Sequence, residues 1–149
     1  MAFEQSYPVL WSHLDPNGHM RHTAYNDFGA QLRLDYFASQ GSPMDKILES
    51  GVGPILFRED TRFFREVAFG EIITLKLLMT KLREDGSKWS MEHGIYKTDG
   101  ELACTIQVDG SWLDLNKRKV TPPPLQMQQT LLDCPRSEDF EWIPPKNQS

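Results

Sequence analysis

The hydrophobic period of this chain changes from 3.6 residues to two at about one third of its length, and that change limits the folds open to it. From Thr23 to Ser39, the residues Tyr25, Phe28, Gly29, Leu32 and Tyr36 stand at i, i+3, i+4, i+7 and i+11, on one helical face. Ala24, Leu34 and Phe37 widen the stripe, so this helix is expected to be contacted over much of its circumference, with Gly29 admitting a close neighbour. Gly41 and Pro43 end it. Further on, Ile73, Leu75, Leu77 and Met79 alternate with Thr74, Lys76 and Thr80, the period of a strand with one buried face. Trp89, Met91, His93 and Ile95 repeat the pattern after the turn Glu84-Asp85-Gly86-Ser87. Leu102, Cys104, Ile106, Val108, Gly110 and Trp112 repeat it again after Asp99-Gly100, with Gly110 expected to mark a bulge or bend.

The rest of the chain fits around these elements. Gln5 to Leu14 reads as a first strand before the turn Asp15-Pro16-Asn17-Gly18. Met44 to Pro54 is mixed, and Ile55, Phe57, Thr61 and Phe63 begin a strand whose face Glu59 interrupts. Pro122, Pro123 and Pro124 are placed to start a short helix through Leu125 and Leu131, and from Cys134 a polar, Pro-rich tail is expected to be loosely held. The order is strand, long helix, then four strands, which is an α+β layer of antiparallel sheet and one helix. One domain is expected over residues 1–149, with a core of about 5–115 and a C-terminal extension of 116–149.

Composition narrows the functions. A net charge of −5 with interspersed signs offers no broad field for nucleic acid. No apolar stretch is long enough for a membrane anchor, and Met1 to Leu10 lacks the pattern of a secretion signal, so a cytoplasmic location is expected. Cys104 and Cys134 lie in no ligand cluster and read as reduced thiols. The four histidines and two cysteines have no spacing suited to zinc, and no dinucleotide fingerprint, P-loop, G-x-S-x-G or H-E-x-x-H occurs. No metal or organic cofactor is expected.

The dense polar segment from His13 to Tyr25 remains, where a carboxylate and three histidines gather between a strand and a buried helix. Its run Asp15-Pro16-Asn17-Gly18-His19-Met20-Arg21-His22-Thr23-Ala24-Tyr25 resembles the signature of 4-hydroxybenzoyl-CoA thioesterase-like hot-dog enzymes. The similarity continues through Gly51-Val52-Gly53-Pro54 and Arg65-Glu66-Val67-Ala68-Phe69-Gly70-Glu71 to about Leu115. His19 stands where many members have an aliphatic residue and Arg21 where others have Asn or an aromatic, departures that bear on the acyl group accepted.

The resemblance implies a hot-dog fold, a five-stranded antiparallel sheet wrapped around one long helix, working as a homodimer or homotetramer. It implies hydrolysis of an acyl-CoA thioester, with Asp15 as nucleophile or general base and the backbone N–H of His22 as oxyanion donor. A helix start suits that role because its N–H groups are unpaired and its dipole end is positive. His19 is a candidate to orient Asp15 or the attacking water, and Gly18 is a candidate substrate contact. Tyr25 reads first as packing at the helix start and second as a pocket wall. Lys81, Arg83 and Lys88 around a hairpin are either solvated charges or a perch for CoA phosphates. His13 reads as a surface residue and His93 as a hydrogen-bonded core or interface residue. Other readings stay open: an acyl carrier protein thioesterase, an enoyl-CoA hydratase using Asp15 with His19 or His22, and a non-catalytic acyl-CoA-binding module.

Overall fold

The computed structural model describes residues 1–148. The central helix α1 (His22–Ser39) starts one residue before the expected span. All five residues of the expected stripe, together with Ala24 and Phe37, are buried on it. Around it runs a curved antiparallel sheet of β1 (Phe3–Pro8), β2 (Val52–Phe63), β3 (Ile72–Leu82), β4 (Lys88–Tyr96) and β5 (Leu102–Asp114), in the order β1-β3-β4-β5-β2. A short α2 (Met44–Glu49) precedes β2, and β6 (Lys119–Val120), α3 (Leu125–Asp133) and β7 (Arg136–Trp142) complete the chain.

The core is the space between the concave sheet face and α1. Ile73, Leu75, Leu77 and Met79 of β3 are each 0% exposed, and each such side chain contributes roughly 1.5–3 kcal/mol by leaving water. Met91, His93 and Ile95 of β4 and Cys104, Ile106 and Val108 of β5 extend the same face. His93 is the polar member, 1% exposed. Its Nδ1 lies 2.9 Å from the Ile106 carbonyl, which only accepts, so Nδ1 carries the proton and Nε2 accepts from Arg33 Nη1 at 2.9 Å.

Four expectations from the sequence are corrected. The first strand is Phe3–Pro8 and not 5–14, because Trp11–His13 turns away as a 3-10 segment that brings the chain under the Asp15 loop. Within the mixed stretch lies α2, too short to show a stripe and burying only Ile47. The irregularity expected at Gly110 is in the opposite strand: Leu56 pairs with Gly110 and Arg58 with Asp109, which leaves Phe57 as the extra residue of a bulge. Gly110 itself is needed for space, since a Cβ there would lie 2.3 Å from the Trp89 ring.

The tail is the fourth correction. Instead of hanging loose, it returns to the sheet, with Cys134 buried and β7 parallel to β3. β1 covers β3 from Ile72 to Leu77, and β7 takes up the same strand from Met79 to Leu82. Backbone bonds from Met79 N–H to the Pro135 carbonyl (2.8 Å) and from Ile143 N–H to the Leu82 carbonyl (2.9 Å) fix it there.

Candidate active site

The loop before α1 is built by its own polar groups. Leu14 and Met20 form an isolated bridge, Asp15 N–H donates to the His19 carbonyl at 2.8 Å, and Gly18 N–H donates to the Asp15 carbonyl at 3.1 Å. Gly18 closes this turn at φ 79°, a left-handed conformation that glycine adopts without Cβ strain. Asp15 Oδ1 accepts from the N–H groups of Asn17 (2.8 Å) and His19 (3.2 Å), so the main chain sets the direction of the carboxylate. Among the described residues no protein donor engages Oδ2.

The loop is also tied down from outside. Met20 N–H donates to the Val67 carbonyl at 2.7 Å, His19 bridges to Ala68, and Arg21 N–H donates to the His13 carbonyl at 2.8 Å. Arg21 is the extended residue ahead of α1, and no side chain caps the helix. Among the described residues the N–H groups of His22 and Thr23 have no intramolecular acceptor, as the first turn of a helix leaves them.

Asp15, His19, His22 and Tyr25 line one wide-mouthed cavity of about 670 Å³. Its other walls come from Met20 of the loop, from Phe63, Phe64, Arg65 and Glu66 at the end of β2 and beyond, and from Lys97 in the turn after β4. The His19 ring points to Glu66, Nε2 to Oε2 at 3.2 Å, so its contact with Asp15 is made through the main chain. The His22 side chain is exposed. Tyr25 is buried edge-on to Phe63 with ring centroids 5.1 Å apart, and burial pushes its phenol up to about 12. It therefore stays protonated near neutral pH and presents a wall with one hydroxyl.

Arg65, Glu66 and Lys97 carry no mark of chemistry in the sequence. Arg65, after β2, pairs with Glu101 of the β4–β5 turn (Nε to Oε2, 3.1 Å), and Lys97 donates to the Glu66 carbonyl at 2.8 Å. Glu71 lies 3.7 Å from the Lys97 ammonium and accepts from Ala68 N–H at 2.7 Å. These contacts hold the 65–71 segment on which the Asp15 loop rests.

Gly18 shapes the loop without lining the cavity. Lys81, Arg83 and Lys88 lie at the β3–β4 hairpin, outside this cavity in a single chain. Arg83 donates to the Pro144 carbonyl (2.9 Å) and to Ser87 Oγ (3.2 Å), while Lys88 borders a separate surface cavity of about 530 Å³. His13 accepts from Leu10 N–H at 2.9 Å and packs 4.7 Å from the Phe28 ring. Among the described residues no three His, Cys, Asp or Glu side chains cluster as metal ligands, and no helix is long and apolar enough to cross a membrane.

A carboxylate with one engaged and one unengaged oxygen, in a cavity onto which a helix start opens, can add to a carbonyl or take a proton from water. The helix N–H groups can hold the negative oxygen that forms.

A family model described as the thioesterase-like superfamily matches residues 9–131. Among solved structures, the hypothetical protein SAV2348 of Staphylococcus aureus, in complex with CoA, is 18% identical with a TM-score of 0.82. The match covers 99% of this chain and 92% of that one. A 1,4-dihydroxy-2-naphthoyl-CoA thioesterase from Synechocystis is 17% identical with a TM-score of 0.80, covering 89% and 97%. A DHNA-CoA thioesterase from Staphylococcus aureus is 17% identical with a TM-score of 0.74, covering 80% and 78%. No protein of curated function matches the sequence. The fold is the hot-dog fold expected above.

Proposed function

Because the chain belongs to the thioesterase-like superfamily, we propose that it hydrolyses an acyl-CoA thioester to the free acid and CoA at the cavity containing Asp15. The observation that carries this reading is the Asp15 carboxylate, fixed through Oδ1 by the N–H groups of Asn17 and His19 in the cavity onto which the start of α1 opens. With the thioester carbonyl at the helix start, the N–H of His22 stabilises the oxyanion. Asp15 either takes a proton from the attacking water or attacks the carbonyl itself, giving an anhydride that water cleaves. In both routes the thiolate of CoA leaves and is protonated from solvent. His19 steadies Asp15 by its N–H, and Tyr25 forms a wall of the site.

CoA is favoured as the thiol carrier because an acidic carrier protein would need a broad basic face, and this chain has a net charge of −5. The CoA complex of SAV2348 and the CoA thioesters named for the other two structures support the same choice. Arg65 and Lys97 are the cations of this cavity and suit a phosphorylated ligand. Lys81, Arg83 and Lys88 serve CoA only where a second subunit of a homodimer or homotetramer carries them to the site.

A panel of acyl-CoAs tests the reading, with free thiol and hydrated products both followed. Thiol release at a turnover well above the uncatalysed rate is expected. Binding without thiol release would identify a binding module, and hydration without it an enoyl-CoA hydratase.

A further inference from the structure

Two turns along α1 from Tyr25, a second cavity of about 200 Å³ lies between α1, α2, β2 and β4. Leu34, Phe37, Ile47, Ile55, Trp89 and Met91 give it apolar walls, and Arg33 is the one charged residue among those that line it. A guanidinium has five N–H donors. Among the described residues the Arg33 side chain makes a single hydrogen bond, from Nη1 to His93 Nε2.

That partner brings no charge. With Nδ1 donating to the Ile106 carbonyl, the ring is neutral, and burial followed by the neighbouring Arg33 charge takes its pKa down to about 3. No carboxylate stands within ion-pair distance of Arg33 among the described residues, and Glu59 on the exposed part of β2 acts on it only at longer range. Burial lowers the Arg33 pKa, yet an arginine keeps its charge. Arg33 is half-buried, so water reaches only part of the guanidinium, and an anion in the cavity would satisfy the donors that face its apolar walls.

We propose that this cavity is a second ligand site, taking a small carboxylate with a short apolar body. The carboxylate receives two parallel N–H bonds from the Nε–Nη2 edge of Arg33, the side left after Nη1 turns to His93, and the chain packs between Leu34, Phe37 and Met91. The cavity is smaller than the roughly 300–1,000 Å³ of sites for drug-sized ligands, which limits the ligand to a short chain. The inference is independent of the reaction at Asp15, although a free carboxylic acid is also the kind of product that thioester hydrolysis yields.

Calorimetric titration of the full chain with octanoate and with octan-1-ol tests it without any turnover. Octanoate is expected to bind roughly 10- to 100-fold more tightly than the alcohol, the ratio set by hydrogen bonds to a charged donor. Arg33→Met is expected to bring octanoate down to the level of octanol, and Ala30→Leu, which fills the cavity, to weaken both. Equal affinity for acid and alcohol would overturn the proposal. So would octanoate binding that Ala30→Leu leaves unchanged, which would put the acid elsewhere, including the Asp15 cavity. The comparison of ligands on the unmodified chain and the Ala30→Leu result decide the matter even where Arg33→Met does not fold.

Discussion

Main-chain N–H groups orient the Asp15 carboxylate, and a main-chain carbonyl orients the His93 ring. At Asp15, N–H donors fix one carboxylate oxygen, and among the described residues the other has no protein donor. At His93, a carbonyl fixes the tautomer and burial keeps the ring neutral, with its pKa down at about 3. This second case has a sign that experiment can check. The unfolded His93 takes up a proton near pH 6.5 while the folded one does not, so its contribution to stability is complete above that pH and is lost as pH falls toward about 3. At pH 5 the loss is about 2 kcal/mol relative to pH 7. Urea unfolding of His93→Asn, whose amide can still donate to the Ile106 carbonyl, should show a shallower fall between pH 7 and pH 5 by about that amount. An unchanged fall would mean that His93 is protonated in the fold. Metal dependence is a second check at this scale: exhaustive chelation is expected to leave turnover unchanged, and loss of turnover restored by one added metal would contradict the site as described.

Where β2, β4 and β5 meet, Gly110 has no room for a side chain. A Cβ at Gly110 would stand 2.3 Å from the Trp89 ring and 2.7 Å from the Ile55 carbonyl oxygen, and the carbonyl belongs to a paired backbone that has little room to move. Gly110→Ala should therefore destabilise the chain by roughly 1–3 kcal/mol, read as a lower urea midpoint, and an unchanged midpoint would show that β2 can shift at its bulge. The bulge itself was not legible in the sequence, because Phe57 continues an apparent alternation and only pairing with β5 reveals it as extra. By contrast α1, β3, β4 and β5 were legible, since each buries one face along most of its length and writes that burial as a period. β7 was not, because a polar edge strand such as Arg136–Trp142 takes its place from the uncovered half of β3 and not from its own pattern. The site divides in the same way. The Asp15 turn is local and stands in the sequence, whereas Arg65 and Lys97 reach the cavity only through the strand order and carry no local mark.

The whole molecule leaves β2 as a sheet edge with Leu56, Phe57, Phe63 and Phe64 all exposed, Phe57 at 58%. An apolar edge of this kind calls for a partner, and a second copy pairing along it would protect both. Sedimentation at micromolar concentration is expected to give a multiple of 17.2 kDa, and Phe57→Glu to shift it toward the single chain. A species of 17.2 kDa alone for the unmodified protein would contradict this. Turnover of an acyl-CoA by Asp15→Asn distinguishes an Asp15 that performs chemistry from one that only closes a turn. Asparagine keeps an oxygen to accept from the Asn17 and His19 N–H groups and leaves the start of α1 untouched, but it removes the base and the nucleophile. Turnover is predicted to fall by roughly 10²–10⁴-fold with an unchanged urea midpoint. A folded Asp15→Asn variant that hydrolyses acyl-CoA at near the unmodified rate would show that Asp15 only closes the turn.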